Sequence, residues 1–188
     1  MPDWLLNLPG ASFIPVWAGI LLFSGLHMAR SRDRTPGARL EIFLMYMIGI
    51  GGFAGITNFV MHAFFADQVA ATIGWPPGSP FQLEVAGANL AIGVIGALGF
   101  WRRDFWLPTL IAKLCFGWTA GATHLLDLLR NANDAPNNAG PILYLNFLIP
   151  VLGLALYALY RRRRPVDPPG FVRIAPIAEL PPAAAERA

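Results

Sequence analysis

Charge is scarce in this chain. Only 13% of its 188 residues are Asp, Glu, Lys or Arg and 55% are apolar, whereas an ordinary soluble domain is about a quarter charged. That balance excludes a soluble globular domain as the main body of the protein. Cysteine is nearly absent. Cys115, the single one, lies in an apolar stretch and rules out a disulfide framework. No phosphate-binding loop, dinucleotide fingerprint, zinc-ligand spacing or internal repeat occurs, which removes the common nucleotide-binding and zinc-finger classes. The N-terminus lacks the basic start of a secretory signal and its first apolar run is too long for one, so that run is read as a retained helix. The net charge of +3 and pI near 9.5 come mostly from arginines flanking apolar runs. Basicity of that kind marks membrane flanks, and no nucleic-acid partner is expected.

What the chain has is apolar length. Five stretches, 11–29, 42–66, 81–100, 105–129 and 142–160, meet the roughly 17 to 25 residues that a helix needs to cross a lipid core. The arginines provide an independent check on their order. Arg30, Arg32, Arg34 and Arg39 separate the first two stretches, Arg102 and Arg103 the third and fourth, and Arg161, Arg162, Arg163 and Arg164 follow the fifth. These alternate connections should face the cytoplasm, while the links 67–80 and 131–141 and the N-terminus with Asp3 face outward. The expected fold is therefore all-α: an integral membrane bundle of five transmembrane helices in residues 1–164, N-terminus outside, C-terminus cytoplasmic, in a bacterial inner membrane. Residues 165–188 form a Pro- and Ala-rich tail without the periodic apolar sequence to build a second core.

Local signals sharpen the boundaries. Ser79, Pro80 and Gln82 have the spacing of a capping box for the third helix. Trp101 and Trp106 bracket a tight arginine-bearing turn as interfacial aromatics, and Pro141 suits the first position of the fifth helix. Pro15, Pro108 and Pro150 lie within or near helices and predict local kinks. Gly51 with Gly55, Gly117 with Gly121, and the small-residue run containing Gly93 and Gly96 let helix backbones approach closely, either within the bundle or against another subunit.

With these directions Asn58 and His62, Gln82, Glu84 and Asn89, Thr123, His124 and Asp127, and Asn146 all fall in the outer half, within about 12 Å of its edge by helical rise. Polar groups at membrane depth must be paired or near water. Several uses are open for this set. His62, Glu84, His124 and Asp127 have the donors of a two-histidine, two-carboxylate metal site; His62 and His124 would suit axial ligation of a haem; or the groups simply hydrogen-bond one another. A quinone, another small ligand or a proton path would use the same groups, and the cofactor stays unknown. If the cluster is structural, replacing Glu84 or His124 should disrupt folding more than replacing Lys113, whose stem can snorkel. Cys115 reads as packing, His27 as interfacial, and Asp104 as a local counter-charge to Arg102 and Arg103, with Glu41 near Arg39. The arginines set topology and meet lipid headgroups.

The run His62-Ala63-Phe64-Phe65-Ala66-Asp67, the block Ile73-Gly74-Trp75-Pro76-Pro77-Gly78-Ser79-Pro80-Phe81-Gln82-Leu83-Glu84, Asn89-Leu90-Ala91, His124 and Asn138-Ala139-Gly140-Pro141 resemble a family of small bacterial membrane proteins of unassigned function, over roughly 42–160. The resemblance implies a multi-helix membrane protein and no particular reaction. With short connections and small-residue faces, the function expected is an accessory subunit or assembly factor of a bacterial membrane complex, in contact with the bilayer and with a membrane protein partner or a second copy. A metal-, haem- or quinone-binding redox protein and a small channel or transporter are the alternatives.

Overall fold

The computed structural model describes residues 13–163, so the expectations for Asp3, Arg164 and the tail over 165–188 lie outside it. The described chain is all-α: α1 (Phe13–Arg30), α2 (Pro36–Phe64), α3 (Ala66–Ile73), α4 (Phe81–Leu98), a 3-10 turn (Arg103–Phe105), α5 (Trp106–Asn131), α6 (Pro136–Ala139) and α7 (Pro141–Arg163). It is a multi-span membrane helix bundle. Four helical stretches, Phe13–Arg30, Pro36–Phe64, Phe81–Leu98 and Pro136–Arg163, are long and apolar enough to cross a bilayer. The fifth expected span, α5, has 26 residues but is not among these four. Lys113, His124, Asp127, Arg130 and several threonines dilute its hydropathy.

The start of α2 differs from expectation because a side chain closes the helix end there. Helix α2 starts at Pro36, where Thr35 Oγ1 accepts the Ala38 amide at 3.3 Å and Asp33 Oδ1 accepts the Thr35 amide at 2.9 Å. Arg39 consequently sits in the first turn of α2 and not in the loop before it. Helix α4, by contrast, begins without the Ser79 capping box: Pro80 holds the cap position and no side chain bonds there. Gln82, needed for that box, turns its carboxamide to His62, a tertiary hydrogen bond that outcompetes the local one. Pro108 costs α5 nothing, since the first turn lacks intrahelical acceptors for its amides. Pro150 lies inside α7 and withholds the amide that would reach the Asn146 carbonyl.

The tightest packing joins α2 to α4, backbone against backbone. A Cβ on Gly52 would fall within the main chain of Gly96 and Ala97, one on Gly55 would stand 2.9 Å from Gly93 Cα, and one on Gly96 would stand 2.9 Å from Gly52 Cα. Gly52, not Gly51, is therefore the partner of Gly55 on this face. Gly51 turns instead toward Lys113, whose Cε lies against it. Either spacing fits one face of a helix, so only the neighbour's position selects between them.

Helices α5 and α7 run antiparallel over most of their length. Trp106 meets Tyr160, Leu110 lies on Gly153, Gly117 approaches the Asn146 carbonyl beside Pro150, and Gly121 is covered by the Phe147 ring. Trp106 is not an interfacial anchor. It is 1% exposed, its indole donates to Gly99 O at 2.7 Å, and it belongs to a core with Ile20, Leu44, Met47, Ile48, Leu110 and Tyr160. Trp101, 71% exposed, remains outside. Helix α1 packs chiefly on α2.

Gly52→Ala should destabilise the protein by about 1–3 kcal/mol, the usual cost of overpacking. Gly87→Ala, where a Cβ meets nothing within 4 Å, should leave stability unchanged or raise it by about 0.5–1 kcal/mol through helix propensity. Reversible denaturation in detergent micelles measures both.

Candidate functional site

The polar residues gather at the end of the bundle where α2 gives way to α3, and a local backbone feature starts the assembly. Helix α3 ends at Gly74 with φ of 80°, a left-handed conformation that favours glycine. A side chain there would also strike Asn133, whose Oδ1 lies 2.6 Å from the Cβ position. The reversal delivers Trp75 onto α5. Its ring stacks on His124 with centroids 5.5 Å apart and planes 17° from parallel, and its Nε1 donates to Asp127 Oδ2 at 2.8 Å. Asp67 secures the following turn by accepting the Gly78 amide at 2.8 Å.

Asp127 is the hub. Besides Trp75, its carboxylate accepts Asn131 Nδ2 at 2.7 Å and Asn133 Nδ2 at 2.6 Å, and the same Asn133 amide donates to Ile73 O at 2.9 Å. Asn138, wholly buried, gives Nδ2 to Asn133 O at 2.7 Å and presents Oδ1 to His124 Nδ1 at 2.8 Å. An amide oxygen only accepts, so this contact puts the His124 proton on Nδ1. Carboxylate, imidazole, indole and three carboxamides thus stitch α5, the segment after α3, and α6 into one cap. Its polar atoms bond one another, and of these residues His124 and Asn138 are buried.

The remaining residues of the expected site are distributed differently. His62 Nδ1 pairs with Gln82 Oε1 at 2.6 Å, between α2 and α4. Glu84 is exposed, because two residues along a helix turn the side chain by about 200° and Gln82 already faces α2. Asn89 is buried and donates to Val85 O at 3.0 Å; Asn58 is exposed; Asn146 is half-buried, its main-chain oxygen against Gly117. His62, Glu84, His124 and Asp127 do not converge as one ligand set. Among the described residues no three His, Cys, Asp or Glu side chains are placed to hold a metal ion. Trp75, Asn133 and Asn138, which carry the cap, are legible in the sequence only as members of the links 67–80 and 131–141.

The opposite end is built from charge. Arg103 pairs with Glu41 of α2, a partner the sequence had set beside Arg39, while Asp104 meets only Arg102, at 3.2 Å. Arg30, Arg32, Arg34, Arg39, Arg161, Arg162 and Arg163 are exposed. Cys115 is exposed on α5 and so is not a packing residue. His27 meets the Tyr46 ring edge-on at 5.9 Å.

Asp127→Ala should cost about 0.5–1.5 kcal/mol by removing the acceptor that its three donors share. Combined with Trp75→Phe it should show a coupling of at least about 0.5 kcal/mol in a double-mutant cycle. Glu84→Ala, an exposed change, should stay within about 0.5 kcal/mol of wild type. Denaturation in micelles reads all of these, and independent Trp75 and Asp127 effects would refute the shared network.

No curated protein and no solved structure matches the chain. A family model described as a family of unknown function, DUF6790, matches residues 11–166, which takes in α1 as well as the stretch that carried the sequence resemblance. The chain belongs to that family of unknown function, DUF6790.

Proposed function

We propose that the protein is a noncatalytic accessory subunit or assembly factor of a bacterial inner-membrane complex. The observation that carries this reading is the peripheral position of α1. It packs chiefly on α2 and leaves Leu21, Leu22, Phe23 and Leu26 exposed, a face able to receive a helix of a neighbour. The polar cap supports the same reading, because its hydrogen bonds tie α5 to the segment after α3 and to the loop carrying α6. The short links between the described helices leave no room for a catalytic domain there.

The reading includes five crossings, with the N-terminus outside and the C-terminus cytoplasmic. Helix α5, at 26 residues, is roughly 39 Å long by helical rise and lies along α7 from Trp106–Tyr160 to Gly121–Phe147. Where α7 crosses, α5 accompanies it. Hydropathy alone undervalues α5 because its hydroxyls bond their own helix, Thr109 to Phe105 O, Thr119 to Cys115 O and Thr123 to Thr119 O, while Asp127 and His124 bond the cap. The arginine alternation sets the direction.

Reporter fusions should place the Arg102 turn and the Asn133 loop on opposite sides of the membrane, the first cytoplasmic. Both on one side would remove the fifth crossing. A photocrosslinker at Leu22 should capture a specific membrane protein or a second copy in cells, and one at Leu148 of α7 should not. Lipid adducts alone from Leu22, with a lone monomer in several mild detergents, would overturn the subunit reading.

A further inference from the structure

We propose that the cavity between the first turn of α5 and the last turns of α7 binds the headgroup of an anionic phospholipid. The cavity measures about 360 Å³ and is lined by Arg103, Asp104, Trp106, Leu107, Pro108, Tyr157, Tyr160 and Arg161. That is about a dozen water volumes and the low end of the roughly 300–1,000 Å³ range of ligand pockets. It admits a phosphate with its glycerol and leaves acyl chains outside.

The lining matches such a group chemically. Trp106 and Tyr160, 1% and 2% exposed, form a fixed wall: their rings stand 5.4 Å apart, and the Trp106 indole is tied to Gly99 O. The two carboxylates nearby are already engaged, Asp104 by Arg102 and Glu41 by Arg103. Arg161 is exposed at the rim and no acidic side chain among the described residues pairs with it; Arg162 and Arg163 follow. The surplus is positive, and no free carboxylate is on hand for the ammonium of a zwitterionic headgroup, so an anionic one is selected. Leu107 and Pro108 are exposed on the flank of a membrane helix, where an acyl chain lies against them and a soluble phosphate ester gains nothing. The site lies at one end of the bundle and holds whichever way the bundle is oriented. It is also independent of the subunit reading.

The test uses the full chain in neutral detergent, with native mass spectrometry reading bound phosphatidylglycerol, phosphatidylcholine and glycerol 3-phosphate. Phosphatidylglycerol should be retained in preference to phosphatidylcholine. Arg161→Gln, an exposed substitution, should weaken its retention about fivefold, the worth of one arginine at an anionic surface, while Arg163→Gln changes it little. Leu107→Trp, which obstructs the cavity and keeps every charge, should weaken it too. Equal retention of the two lipids would overturn the site. Equal effects of R161Q and R163Q would replace it by a diffuse basic surface. Glycerol 3-phosphate bound as tightly as the lipid would reassign the cavity to a soluble phosphate ester.

Discussion

A bilayer gives helices no hydrophobic reason to leave lipid for one another, so association depends on how closely their atoms approach. In this protein that approach is the contact of α2 with α4, where Gly52 and Gly55 lie against Gly93, Gly96 and the neighbouring main chain. At such distances dispersion acts between whole backbones, and no side chain fits between them. The contact also fixes register. With Gly55 seated on Gly93, the end of α2 lies beside the start of α4 and His62 reaches Gln82. The capping role that sequence offered Gln82 gives way to that bond.

Polar groups obey a second rule, satisfaction within the protein. A carboxylate in a largely apolar bundle calls for donors, and three reach Asp127, one from a residue 52 positions away. Its neighbour His124 is clamped between the Trp75 ring and the Asn138 amide. The histidines and carboxylates that composition groups together meet different partners, Asp127 and His124 in the cap and His62 at Gln82. Helix α5 shows the same rule along its length, with hydroxyls bonded to the preceding turn. The two ends of the bundle consequently differ in kind: one is closed by a neutral and acidic hydrogen-bond network, the other is rich in arginine and left open beside a cavity.

Part of this is legible in the chain. Apolar runs of spanning length, with arginines in alternate links, specify helices in lipid because unsatisfied backbone cannot reside there in any other open form. That His124 and Asp127 share a face follows from residue counting, since they are three positions apart on one helix. Membership of a small-residue run marks Gly93 and Gly96 for close packing.

Only the tertiary structure decided which of these groups meet. Gly51 and Gly52 differ by one step of about 100° around a helix, and the neighbour alone chose Gly52. Glu84 and Gln82 share a depth but face opposite sides, so one joins His62 and the other is exposed. Trp75 is one residue of the 67–80 link until the left-handed turn at Gly74 lays it over His124. Sequence determines periodicity because that is a property of a single helix. Partners depend on rotation and on chain reversals between helices, and those are fixed only when distant segments pack.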